Sequence, residues 1–288
     1  MRRILILLCA FQINASFAQH EPIDLARQLL SANGILDTAN FYSEELDLRP
    51  EGITGLIMSR SEGYQSKENF LPDFSALISK YRFNFRSFPL HADHQIINVT
   101  ATDSLVNGFD FYLHFKKRDN HWQLAKIERL ERSVVAHLYY VEMYSEHQVD
   151  SIINSDDPYK VIQSKEAYNY AKQVHDLALS FDDTIIDYFI QNKSTFHELK
   201  DAFFALKSEG KKIRQVDLLH KGIALSSIRE NHRNLNDCLV FLVCYNEHSS
   251  VGYFYATNKS SVQSIYSKDV YYVREIGDGW YMFKGKGR

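Results

Sequence analysis

Gly108-Phe-Asp-Phe-Tyr-Leu-His-Phe-Lys-Lys117 is the stretch from which the rest of the chain is read outward. Phe109, Phe111, Leu113 and Phe115 alternate with Asp110, Tyr112, His114 and Lys116. A strict period of two places the four apolar side chains on one face of a strand and the polar ones on the other. Such a strand belongs in an antiparallel sheet covered on one side, so the face carrying Asp110, Tyr112 and His114 either lines a pocket or meets solvent, the solvated outer face being the favoured expectation. Strands are predicted on either side, over Tyr81 to Leu90, His94 to Thr102 and His121 to Leu130. Breaks at Pro89, at Asp103-Ser104 and at Arg118-Asp119-Asn120 separate them into a four-stranded meander.

Upstream of the meander the period is helical. Pro22 sits where a first-turn proline is tolerated, and Ile23, Ala26, Leu29 and Leu30 follow at helical spacing before Asn33-Gly34. Further helices are expected over Asp37 to Leu46 and through Phe70, Phe74, Leu77, Ile78 and Tyr81. Downstream, residues 133–155 form a predicted linking helix with Val134, Leu138, Val141 and Tyr144 as its stripe, closed by Asn154-Ser-Asp-Asp-Pro158. Helices are then predicted over Glu166 to Ser180 and Asp183 to Gln191. One more is opened by the capping box Thr195-Phe-His-Glu198, and another runs from Ile213 to Glu230. Five strands close the chain: Cys238 to Tyr245, Val251 to Thr257, Val262 to Tyr266, Val270 to Ile276 and Trp280 to Lys284, the last two joined by Gly277-Asp278-Gly279. The expectation is an α+β protein: a leader at 1–18, a domain at 19–132, a linking helix and turn at 133–160, and a domain at 161–288. Each domain runs helices first and an antiparallel meander second. No residue-level repeat relates the two halves.

Helices followed by a meander, a tight turn and a Trp-bearing strand resemble the NTF2-like (SnoaL-type) α+β cone over residues 22–132. Cystatin-like sheets have much the same pattern. The resemblance is carried by Phe109 to Lys116, Asp119-Asn120-His121-Trp122 and Leu124 to Ile127. It implies a curved sheet wrapped against helices, and in enzymes of that type an Asp and a His inside the cone serve acid/base chemistry. Asp110 and His114 would hold those places here. Residues four apart on a strand lie about 13 Å apart, so neither can orient the other, and a dyad would need His94 or Asn98 from the adjacent strand.

Composition narrows the class. The chain carries 33 basic and 36 acidic side chains, 45% hydrophobic residues, 14% aromatics and five prolines, which describes a packed globular protein. Arg2 and Arg3, the apolar run Ile4 to Ile13 and Ser16-Phe-Ala18 have the form of a secretory leader cleaved after Ala18. Its loss leaves 31 basic against 36 acidic side chains, a net charge of -5, which argues against a nucleic-acid partner. No later apolar run reaches the roughly 20 residues of a membrane span, so no integral membrane segment is expected and the mature chain is assigned to the periplasm or the exterior. The leader has a bacterial look, in which case the glycosylation patterns at Asn98, Asn192 and Asn258 carry nothing. Cys238 and Cys244 lie at the two ends of one predicted strand, about 20 Å apart if it is regular, and cannot pair across that distance.

The catalytic motifs whose spacing is itself a mechanism are absent from the sequence: HExxH, GxSxG, a phosphate-binding glycine loop and a dinucleotide fingerprint. No catalytic residue, metal or cofactor is assigned. His91-Ala-Asp93-His94 offers two imidazoles and a carboxylate in a turn, without a fourth ligand. Asn246-Glu-His-Ser-Ser250 crowds Ser, His and Glu into a single turn, a poor geometry for a nucleophile and its base. The residues expected to bind a ligand are His94, Asp110, Tyr112 and His114 in the first domain and Tyr253, Tyr255, Tyr271 and Trp280 in the second. Alternation in the C-terminal strands leaves some of those aromatics exposed, as a recognition face would. The leading expectation is a non-catalytic protein that binds a small molecule or an envelope protein through a curved sheet. The alternatives are an NTF2-like small-molecule enzyme and an inhibitor or immunity module.

Overall fold

A computed structural model describes residues 21–31, 79–130, 135, 138–210, 222–232, 235–246, 249–258, 262 and 270–286. The predicted leader, the helix at 37–46, most of the helix ending at Tyr81, the first part of the helix beginning at Ile213 and the strand after Val262 lie outside them. The fold is α+β, with two antiparallel sheets. The chain divides into two compact units, Met1–Arg129 and Leu130–Arg288.

The first unit holds helix α1 (Pro22–Leu29) and strands β1 (Arg82–His91), β2 (His94–Thr102), β3 (Gly108–Arg118) and β4 (His121–Arg129). The strands pair in the order β1-β2-β3-β4. Pro22 opens α1, and an exposed Arg27–Asp24 pair at 3.0 Å closes its first turn on the outer side. Its inner side, Ala26 and Leu29, joins Ile97, Val99, Ala101, Phe111, Leu113, Phe115, Leu124 and Ile127 in one core. The alternation of β3 thus sends Phe111, Leu113 and Phe115 inward as expected. Gly108 is required where β3 begins, because a Cβ there would stand 1.8 Å from the Ala101 carbonyl oxygen across the β2–β3 ladder.

The second unit begins with two short helices, α2 (Tyr140–Met143) and α3 (Glu146–Ile153), where one linking helix was predicted. Tyr144 turns extended between them, and Ser145 opens α3 with a reciprocal capping box to Gln148. Helices α4 (Lys165–Ala178), α5 (Asp182–Gln191) and α6 (Lys193–Ser208) follow. The Thr195 capping box does not form. Asn192 closes α5 and opens α6 at once, its side-chain amide donating to the Tyr188 carbonyl at 2.8 Å, so Thr195 already lies inside the helix.

Strands β5 (Ser227–His232), β6 (Leu235–Tyr245), β7 (Ser249–Ala256), β8 (Val270–Gly277) and β9 (Trp280–Lys286) form a sheet in the order β5-β6-β7-β9-β8. The predicted helix to Glu230 is corrected here. Ser227 to Glu230 pair with β6, and a ladder of backbone hydrogen bonds overrides the helical spacing of Ile223 and Ile228. One face of this sheet packs Phe241, Tyr253 and Trp280 against Phe189 and Phe196 of α5 and α6. The other face carries Val240, Leu242, Phe254, Val273, Tyr281 and Phe283, also buried. Cys238 and Cys244 are free and buried in β6. Burial pushes their thiols up to about 11 and about 12, which makes them inert. Among the described residues no helix is long and apolar enough to cross a membrane.

Candidate functional site

The register of the first sheet assembles one polar face. β2 aligns Asn98 with Tyr112, Thr100 with Asp110 and Ile96 with His114, and β4 aligns Glu128 with Tyr112 and Lys126 with His114. Residues paired directly across an antiparallel ladder share a face, so Asn98, Thr100, Asp110, Tyr112, His114, Lys126 and Glu128 form a contiguous patch over three strands. This patch does not meet solvent, contrary to the reading of β3 alone. Exposure is 2% at Asn98, 6% at Asp110, 0% at Tyr112, 5% at His114 and 3% at Glu128. Around Tyr112 the inner strands are buried on both faces, one apolar and one polar, while Thr100 and Lys126 are partly exposed and no residue of β1 is buried.

Burial at these positions demands partners, since a desolvated carboxylate or hydroxyl without a hydrogen bond costs about 1 to 3 kcal/mol. Thr100 Oγ1 donates to Asp110 Oδ1 at 2.6 Å. Lys126 Nζ lies 2.5 Å from Glu128 Oε1, its ammonium partly exposed and the carboxylate buried. His94 Nε2 and His114 Nδ1 are 3.3 Å apart, the rings tilted by 48°. His94 and His114 are thus neighbours from adjacent strands, whereas Asp110, four residues before His114 on β3, is engaged by its register partner Thr100. Burial lowers the His94 pKa to about 4, assisted by the positive charge of Lys116 and by His91. The imidazole is neutral near pH 7 and ready to accept or donate one hydrogen bond, not to carry charge.

Thr100, Lys126 and Glu128 were not singled out by sequence. Thr100 follows from the β2 alternation once its register against β3 is known. Glu128 is hidden by a bulge: Phe115 pairs with Leu124 but His114 with Lys126, so one extra residue in β4 exchanges its faces. Leu124 and Ile127 therefore both reach the core, and Lys126 and Glu128 both turn to the polar side.

The expected exposure of the C-terminal aromatics is corrected. Tyr253, Tyr271 and Trp280 are 0%, 2% and 0% exposed, and Tyr255 is half-buried with the Lys200 ammonium 4.8 Å from its ring. Both faces of this sheet are covered, so the aromatics that alternation would leave exposed are core. Trp280 sits among Phe189, Phe196 and Phe241 at ring separations of 5.1, 5.8 and 4.9 Å. Tyr253 donates its hydroxyl to the Ile185 carbonyl at 2.7 Å, tying β7 to α5. Tyr271 is the extra residue where the β8 register shifts between Val270 and Tyr272.

Charge in this unit is clamped. Lys284 of β9 and Asp182 of α5 pair at 2.7 Å with both side chains almost wholly buried, and Arg274 reaches Asp183 at 2.8 Å. His175 of α4 lies between two carboxylates, Nε2 at 3.0 Å from Glu142 and Nδ1 at 3.0 Å from Asp176. In the turn before β2, His91 and Asp93 are exposed while His94 is half-buried. Among the described residues no group of three or more His, Cys, Asp or Glu is placed to hold a metal ion. Residues 247 and 248 of the Asn246–Ser250 turn lie outside the described residues. No family model, curated protein or solved structure matches the chain.

Proposed function

We propose that the protein is a ligand-binding protein of the cell envelope or exterior, and that its site is the polar face of the first sheet. The observation that carries this reading is the burial of Asn98, Asp110, Tyr112, His114 and Glu128 side by side on one face. A sheet that needed only a fold would cover its second face with apolar side chains or leave polar ones in water. The patch combines acceptors (Asp110, Glu128), groups that both donate and accept (Asn98, Tyr112, the His94–His114 pair) and the Lys126 ammonium. It suits a small molecule carrying hydroxyl or amino groups, for which a few convergent polar groups set specificity. The resemblance to the NTF2-like cone agrees with a ligand on this face. The leader-like form of residues 1–18 is the support for placement outside the cytoplasm.

A second reading, proton transfer on a small molecule, has the His94–His114 contact in its favour. Binding is preferred because an imidazole whose pKa lies at about 4 is a weak base at neutral pH, far from the match between pKa and operating pH that general-base catalysis favours. The test is thermal unfolding of residues 19–288 against a panel of sugars, amino acids, nucleosides and polyamines. A ligand at a hundredfold excess over its Kd adds about 2.7 kcal/mol to the folded state. A shift in the wild type that disappears in Asp110→Asn supports the reading, and a shift retained by that variant places the site elsewhere. Turnover of the same molecule, lost in His114→Ala, would move the assignment to the second reading.

A further inference from the structure

The described turns obey a local rule with one exception. Of the five non-glycine residues with positive φ, four are Asp119, Asn120, Asp237 and Asp278, residue types whose short polar side chains tolerate the left-handed region. The fifth is Val106, at φ 64°, a β-branched residue for which that conformation is a genuine outlier. It sits at the tip of the β2–β3 connection beside Leu105, and the two are 73% and 77% exposed. The tip is held, not loose. Asp103 Oδ1 accepts from the backbone N–H of both Leu105 and Asn107 at 2.9 Å, Asp103 N–H donates to the Asn107 carbonyl at 2.8 Å, and Val106 N–H to the Asp103 carbonyl at 3.1 Å. A rigid turn therefore spends backbone strain to present two adjacent apolar side chains to water. Strain of this kind, once observed, is a pointer to function.

The same end of the sheet is basic. Arg82 is exposed and pairs in register with Thr102, the last residue before the turn. Exposed Lys80 stands 5.3 Å from the Tyr81 ring, Tyr81 packs on Phe109 at 5.5 Å, and the Arg129 guanidinium covers Phe109 at 3.6 Å. Three cations thus stand at this end of the sheet against the one carboxylate of the turn, Asp103, whose Oδ1 accepts from two backbone N–H groups and whose charge remains. We infer that Leu105 and Val106 form a prong that enters an anionic lipid surface while Lys80, Arg82 and Arg129 meet the headgroups. A protein pocket would accept the apolar pair, but three cations at one end of the sheet on an otherwise acidic chain fit an anionic interface better.

The test is co-sedimentation of the full chain with vesicles of phosphatidylglycerol and phosphatidylcholine in equal parts, and of phosphatidylcholine alone. Binding is expected to the mixed vesicles only, and to weaken as salt is raised. Leu105→Asp should weaken it roughly tenfold or more, as expected for the loss of one buried leucine side chain. K80E/R82E should abolish the preference for phosphatidylglycerol. Val106→Gly separates this role from a structural one: it should raise the thermal midpoint, because glycine adopts the same φ without strain, and still weaken vesicle binding. Absence of sedimentation with either vesicle, equal binding to both, or full binding by Leu105→Asp would overturn the inference.

Discussion

The two sheets solve the same problem differently. Both are antiparallel, and the inner strands of both carry buried residues on two faces. In the second unit each face is filled with aromatic and aliphatic side chains, and the buried ammonium of Lys284 pairs with the buried carboxylate of Asp182 at 2.7 Å. In the first unit the apolar side is a comparable core, but the opposite side is a row of amide, carboxylate, hydroxyl and imidazole groups. Burial of polar groups in the second unit is scattered: Lys284 and Asp182 pair, while Ser250 Oγ and Trp280 Nε1 are buried with no hydrogen-bond partner among the described residues. In the first it extends across three strands and uses more kinds of group than a structural clamp requires. That contrast is the ground on which we propose recognition for the first sheet and a mainly structural role for the second.

The largest effect should come from opening the clamp. Lys284→Ala leaves Asp182 buried without its cation and is expected to cost about 3 to 5 kcal/mol in urea unfolding, whereas the pair Lys284→Met with Asp182→Leu should recover most of it. A loss below about 1 kcal/mol in the single variant would erase the distinction between the sheets. A smaller effect is expected on the polar face. Tyr112→Phe removes one hydroxyl and should cost about 1 kcal/mol, within the range of a single hydrogen bond, while ligand binding is lost. If Tyr112→Phe instead destabilised as much as Lys284→Ala, the polar row would be structural too.

A third effect is one of pH, discounted for the partial exposure of His94. The folded-state pKa of His94 lies at about 4, below its ordinary 6.5, so between these values the unfolded chain binds more protons than the folded one. Stability contributed by the neutral imidazole is present above pH 6.5 and declines as pH falls toward 4. His94→Gln should flatten that portion of the stability profile measured by urea midpoints, and an unchanged slope would show that His94 is not the group responsible.

Local alternation and turn residues sufficed to place the four strands of the first unit, because a period of two is a property of the local sequence, although Pro89, expected to break the first of them, lies inside β1. Alternation did not reveal that Asp110, Tyr112 and His114 are buried, since coverage of a face depends on chain far away. Glu128 was hidden for a different reason: parity counted along β4 from Leu124 fails at the bulge before Lys126. In the second unit Tyr253 and Trp280 were correctly placed in strands, yet their exposure was misjudged because α5 and α6 pack Phe189 and Phe196 against them. Ser227 to Glu230 look helical in isolation and become strand only through pairing with β6.

The most direct measurement is native mass spectrometry of the full chain purified without denaturation, with Asp110→Asn and His114→Ala variants alongside. The account predicts one discrete small-molecule adduct on the wild type, released on denaturation and missing from both variants. A wild-type chain of bare mass, or the same adduct on all three proteins, would contradict it.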